Sequence, residues 1–271
     1  NRVRRQRQMC IRDRPTASEI AGLAAAGTPV GPNTTVGTRY ANPEKAEVLE
    51  LGAKIALPSG YLNIAVFDQE IEDFQTNTFV GTGFVLANAG SQSADGYEFD
   101  LVISPTENID LAVSGLFIDP IYDSYVGAAP GDLSGTVPSN TPDDTISSTI
   151  TWNYNISGWD SFLRISHLYS SKAKLLENPV HQALIEAQGN GYREQDTLNL
   201  TAGFEKDNLS ITLWGKNIND DEFLTSAFIG VADLSETTFF GYPNSFKSYG
   251  LTLNYSFSVS YTHLTLPTNT V

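Results

Sequence analysis

Apolar and polar side chains alternate strictly in this chain, over stretches long enough to cross a bilayer. In the last of them Tyr249, Leu251, Leu253, Tyr255 and Phe257 share one side, and Gly250, Thr252, Asn254 and Ser256 the other. Ile146, Ile150, Trp152, Tyr154 and Ile156 alternate in the same way with Ser147, Thr149, Thr151, Asn153 and Asn155. The stretches 97–103, 109–114 and 198–204 repeat the pattern. A period of two marks a strand, because successive side chains leave opposite faces of the sheet. Strands are expected near 46–57, 61–71, 77–88, 94–104, 108–118, 144–156, 160–170, 195–205, 208–218, 222–230, 236–242 and 246–257. Many approach the ~9–11 residues that a tilted membrane strand needs, whereas strands of soluble sheets run nearer ~5–6.

The links between these strands are of two kinds. Residues 57–60, 105–108 and 205–208 are short and turn-rich, while 119–143, 171–194 and 224–238 are long, the second with a short helix expected after Pro179. Short turns on one rim and long loops on the other is the layout of an outer-membrane barrel. In hydrocarbon every backbone N–H and C=O needs an internal partner, so a sheet spans only as a closed barrel with an apolar outside. The expected class is therefore all-β, an antiparallel transmembrane β-barrel fragment of about 10–12 strands, with periplasmic turns and extracellular loops. Trp152, Trp159, Phe162, Tyr169, Trp214, Phe239, Phe240 and Tyr242 suit interfacial girdles, some of them packing instead in lumen or loops. A soluble, carbohydrate-binding β-sandwich also alternates and stands as an alternative.

Both ends read as foreign to this pattern. Written as GTC TCT TAT ACA CAT CTG ACG CTG CCG ACG, Val259 to Thr268 has a reverse complement that translates as Arg4 to Asp13. The match extends to Asn1 and Val271 and stops where Phe257 meets Pro15. Opposite strands of one DNA segment at the two ends point to a ligated sequencing adapter, so 1–14 and 258–271 are set aside as artefact. Residues 15–257 are then expected to be the barrel segment. Setting the ends aside removes the sole cysteine and methionine, six of sixteen basic residues and one of thirty-one acidic ones. Ten basic against thirty acidic residues remain, a net charge of −20. Such acidity argues against nucleic acid as a partner, since phosphate contacts need Lys and Arg. A chain without thiols has neither disulfides nor thiolate metal sites.

Several stretches together resemble the C-terminal half of a TonB-dependent outer-membrane receptor, over roughly 40–257. Asn42 to Lys54 resembles the family's PE…ELG-K strand entry, and Asn88-Ala89-Gly90 with Gly96-Tyr97-Glu98-Phe99 its N-G…G-E hairpin. Trp214 to Phe223 resembles the V-N-L-D-Y segment; Gly241-Tyr242-Pro243 and Tyr249 to Phe257 resemble the closing strand with its terminal Phe. Asn244-Ser245-Phe246 departs from the Arg that often follows that Pro. The resemblance implies a 22-stranded barrel holding an N-terminal plug, with plug, energy-coupling segment and early strands upstream of this chain. It implies import of a scarce small-molecule ligand driven by TonB, with a siderophore first, then cobalamin or a glycan; a passive porin is the alternative. Outer-membrane lipid would surround the wall in a Gram-negative bacterium. Tyr249, Gly250, Leu251, Leu253, Tyr255 and Phe257 match the signal that outer-membrane assembly machinery reads.

Other chemistry is not expected. His167 and His181 lack ligand spacing, and Asn219-Asp220-Asp221-Glu222 lacks the pattern of a calcium loop and reads as a turn or loop edge. No nucleophile constellation or phosphate loop stands out, so neither enzyme activity nor a cofactor is expected. No residue of the long loops identifies the ligand.

Overall fold

A computed structural model describes residues 43–79, 84–88, 90–126, 128, 131–230 and 238–257. The ends read as adapter-encoded, 1–14 and 258–271, lie outside these residues, as do 80–83 and 231–237 within the expected strands and loops. Nine strands form one antiparallel sheet: β1 (Lys45–Leu57), β2 (Gly60–Glu72), β5 (Ser91–Thr106), β6 (Ile109–Ser124), β7 (Asp144–Ile156), β8 (Trp159–Lys174), β9 (Tyr192–Lys206), β10 (Leu209–Lys216) and β13 (Ser248–Tyr255), paired in that order. Two hairpins, β3 (Gln75–Phe79) with β4 (Phe84–Asn88) and β11 (Leu224–Ile229) with β12 (Phe239–Pro243), stand apart from it. Helix α1 (Pro179–Ala187) follows Pro179 as expected, with the Asn178 side chain accepting from the backbone N–H of Val180 and His181.

One rim carries only two-residue turns: Pro58-Ser59, Glu107-Asn108, Ser157-Gly158 and Asp207-Asn208. Ser157 and Gly158 both have positive φ, 54° and 79°, the turn geometry whose twist matches that of the flanking strands. The opposite rim carries 73–90, 125–143, 175–191 and 217–247. Strict alternation of turn and loop thus holds over the whole described wall.

Three expected strands are not wall strands. Residues 77–88 divide into β3 and β4, and 222–230 and 236–242 contribute β11 and β12. They pair as two-stranded hairpins within the connections of the long-loop rim. Conversely, β6 and β8 run further than their alternation suggested, to Ser124 and Lys174. Pro120 lies inside β6 because β7 stops at Asp144, opposite Phe117, so no strand waits for the missing N–H. Its neighbours of the same parity, Ile118 and Tyr122, donate instead to the loop carbonyls of Asp143 (2.8 Å) and Thr136 (3.0 Å).

The sheet is built tilted. One row of directly opposed residues runs Leu57, Gly60, Ile103, Leu111, Ile150, Ile165, Leu200, Gly215, Tyr249 across all nine strands. It starts at the turn end of β1, with apolar Leu49, Leu51 and Ile55 above it, and finishes at the loop end of β13, with Leu251, Leu253, Tyr255 and Phe257 below. The apolar band therefore slides by about one residue per strand. With ~3.3 Å per residue and ~4.8 Å between strands this is a tilt of roughly 35°, at the lower edge of the ~35–45° of membrane barrels. The band is then roughly 22 Å tall, close to the ~25 Å of an outer-membrane barrel. No second layer covers it among the described residues: Leu49 is 77% exposed, Leu51 75% and Leu253 62%. That geometry is the open wall of a barrel fragment and not one half of a sandwich.

Candidate functional site

The functional surfaces follow from register. Residues opposed in an antiparallel ladder share a face, so the apolar row above lies outside and the rows between its residues line the lumen. Lys54, Asn63, Asp100, Ser114 and Ser147 form one lumenal row. Asp110, Thr151, Arg164, Thr201, Trp214 and Gly250 form another. These side chains bond to one another across strands. Asn153 Nδ2 donates to Asp110 Oδ2 (2.9 Å), Arg164 Nε to Thr151 Oγ1 (3.1 Å), and Thr149 Oγ1 to Ser166 Oγ (3.2 Å). Such a ladder suits water or a polar partner, never lipid. A concavity of about 710 Å³ opens on this face, lined among others by Glu50, Lys54, Asn63, Glu98 and Asp100.

The outer band ends in carboxylates at the loop rim. Asp68, Asp95 and Asp119 oppose one another directly on β2, β5 and β6. Lys45 bridges Glu47 (2.7 Å) and Glu72 (3.2 Å) just above. Aromatic rings flank both edges: Tyr97 stacks on Phe117 at 4.6 Å below the acidic row, and Trp152 lies 4.7 Å from Tyr154 near the turns. Trp152, Trp159 and Tyr169 fall on the outer face as a girdle requires. Phe162 and Trp214 do not. They lie on the lumenal face over Gly203 and Gly250, where any Cβ would clash with the ring. Phe239, Phe240 and Tyr242 belong to the β11–β12 hairpin instead.

The closing strand places Tyr249, Leu251, Leu253 and Tyr255 outside, with Phe257 beyond its end at 81% exposure and 4.8 Å from the Tyr255 ring. Gly250 alone of the six marked positions faces the lumen, beneath Trp214. One edge of β13 is paired with β10 and the other has no strand beside it among the described residues. The histidines are far from a common site: His167 contacts Asp196 at 2.5 Å on the outer face, and His181 lies on α1 with its ring 6.5 Å from Phe239. Among the described residues no cluster of three or more His, Cys, Asp or Glu could hold a metal ion.

Asn217 to Asp221 form a polar knot at the loop rim, in the stretch where Asn219-Asp220-Asp221-Glu222 reads as a turn or loop edge. Asn217 is 2% exposed; its Nδ2 donates to the carbonyls of Asp221 (2.8 Å) and Ser245 (3.1 Å), and its Oδ1 accepts from Asp221 N (2.8 Å). Asn219 Oδ1 accepts from Leu198 N (2.9 Å) and Asp221 Oδ2 from Asp196 N (2.7 Å). Side chains here replace the backbone partner that β9 loses when β10 ends. The sequence signal was the run of Asn and Asp, residues that hydrogen-bond backbone locally.

At the root of the 125–143 loop, burial and the neighbouring carboxylates of Asp144 and Asp119 raise the Asp143 carboxyl above its ordinary pKa. The folded state then binds the proton more tightly than the unfolded chain. Stability at this root is highest below both pKa values and falls as pH rises through the window between them. We expect amide exchange at Ile118, whose N–H donates to Asp143, to be more protected near pH ~4 than near pH ~7 after correction for intrinsic rates. Equal protection would contradict it.

A family model described as TonB dependent receptor-like, beta-barrel, matches residues 13–218. The chain belongs to this family. The match ends inside the Asn/Asp knot, so β11 to β13 lie beyond it. Solved TonB-dependent receptors share the fold at low identity. The ferric yersiniabactin uptake receptor FyuA from Yersinia pestis is 16% identical with a TM-score of 0.62, over 79% of this chain and 30% of that one. The ferric-catecholate import receptor Fiu from E. coli K12 is 18% identical with a TM-score of 0.59, over 84% and 30%. BauA, the ferric preacinetobactin receptor of Acinetobacter baumannii, is 15% identical with a TM-score of 0.56, over 84% and 31%. The chain thus spans about three-tenths of each of these TonB-dependent receptors. A search of curated proteins finds none that matches.

Proposed function

We propose that residues 15–257 form part of the wall of an outer-membrane receptor that imports a ferric siderophore with energy delivered through TonB in a Gram-negative bacterium. Family membership carries this reading, because a TonB-dependent barrel is an active importer rather than a passive pore. The polar lumen and lipid-facing band are what such a wall requires. The named neighbours are ferric-siderophore receptors, which favours that ligand class over cobalamin or a glycan. The test is growth on a panel of ferric siderophores under iron limitation, with the complete receptor in a host lacking its own. Growth on at least one, lost when TonB is deleted, is expected. Growth that survives without TonB, with open conductance in planar bilayers, would establish the porin alternative.

We also assign Tyr249, Gly250, Leu251, Leu253, Tyr255 and Phe257 to recognition by the barrel-assembly machinery. Their support is placement: a border strand with no strand beside one edge among the described residues and an aromatic residue exposed past its end. Phe257→Ala is expected to lower the folded, heat-modifiable population in the outer membrane several-fold, while Phe240→Ala in the loop hairpin leaves it unchanged. Equal levels for all three proteins would remove the assignment.

A further inference from the structure

The loops of the long rim are joined to one another. Tyr122 belongs to the lumenal parity of β6, and Phe74, just past β2, stacks on it at 5.4 Å. Tyr125 packs edge-on against both rings, at 5.4 and 5.1 Å. Leu133, 1% exposed, completes this cluster, its N–H donating to the Tyr125 carbonyl at 3.1 Å. Tyr125 Oη also donates to Thr76 Oγ1 at 3.3 Å, tying the loop to the β3 strand. Further along, the same loop grips its other neighbour. Ser139 N donates to Glu177 Oε2 (2.8 Å), Asn140 N to the Lys174 carbonyl (2.8 Å), and Asn140 Nδ2 to the Leu175 carbonyl (3.1 Å). Asn140 holds φ at 58° to do so, a left-handed conformation that surrounding contacts must sustain. Beyond it, Leu175 and, on α1, Ile185 are each 2% exposed.

We infer that Tyr125 and residues 131–143 are a strap that binds the segments 73–76 and 175–188 into one unit on the long-loop rim, opening together. Separate loops would each rest on their own short contacts. Here the central loop has a buried aromatic anchor on one side and a three-bond clasp on the other, so neither neighbour is released without disturbing the strap. Cooperative units of this kind open with a shared free energy. The inference concerns the mouth of the barrel and holds whichever ligand passes.

Hydrogen-exchange mass spectrometry of the complete receptor in detergent tests it. In the unaltered protein the amides of Leu133, Asn140 and Leu175 should exchange at rates that agree within about threefold, as members of one opening unit. Asn140→Ala, which cuts the clasp, should raise uptake in 175–188 and also at the far end, in 74–76, while 192–206 and 209–216 stay unchanged. Thr76→Val, the smaller change at the opposite end, should raise uptake in 74–76 and 175–188 in the same proportion. Rates spread over more than about tenfold in the unaltered protein, or uptake rising only beside each substitution, would overturn the shared unit and leave three independent loops.

Discussion

Leu253→Arg is expected to cost the inserted barrel about 2–4 kcal/mol, because it drives a guanidinium into the middle of the lipid-facing band. Asn254→Arg, one residue along, should cost far less. Asn254 lies on the lumenal face in a row with Ser210 and Glu205, where water and a carboxylate receive the new charge. Leu253 lies outside beside Ile211 and Phe204. The two variants differ only in which face they load, so reversible denaturant unfolding in lipid vesicles isolates the lipid contact. Near-equal costs would mean that the outer face does not touch hydrocarbon. The order would then no longer follow from the period-two pattern.

Asn217→Ala should destabilise the loop rim by about 1–2 kcal/mol, for a different reason. Its carboxamide serves the backbone of Asp221 twice and Ser245 once, from a side chain that is itself buried. Truncation removes three hydrogen bonds, and because Asp221 is half-buried and Ser245 exposed, water takes up part of the loss, which leaves a net cost of about 0.5–1 kcal/mol per bond at most. Loss of the knot frees the root of the β11–β12 hairpin, so protease cleavage within 217–247 should accelerate along with the fall in stability. Glu222→Ala, exposed in the same segment, is expected to stay within about 0.5 kcal/mol of the parent. A silent Asn217→Ala would show that the knot is redundant with Asn244, whose Nδ2 also donates to the Asp221 carbonyl (2.7 Å).

The wall was legible because one face of each strand is apolar and uncovered across the band, which writes itself as alternation. β1, β2, β7 and β13 fall close to where the pattern put them. The pattern weakens wherever a strand runs past that band. Above Phe117 the outer positions of β6 turn to Asp119 and Asp123, and Pro120 interrupts, so the strand's last turnward-to-loopward span escaped notice. The described parts of 77–88 and 222–242 pair as hairpins outside the nine-stranded sheet, and alternation alone does not distinguish such a hairpin from a wall strand. Phe162 and Trp214 were counted among girdle candidates because an aromatic residue in a strand carries no mark of its face until register is fixed; each proves to lie over a lumenal glycine. The loop strap was invisible for a related reason. Phe74 lies 48 residues before Tyr122 and meets it and Leu133 only through the β2–β5–β6 pairing.

The described residues hold nine wall strands, an odd number, and that bears on what can complete this wall. β1 and β13, at opposite borders, both descend from the loop rim to the turn rim. Two molecules set side by side in the same orientation would therefore meet with neighbouring strands parallel, whichever borders touched. Inverting one molecule would restore antiparallel contact only by sending its long connections to the wrong side of the bilayer. Self-association is thus a poor route to a sealed cylinder, and the complement must be a set of strands, odd in number, that ascends at both of its margins.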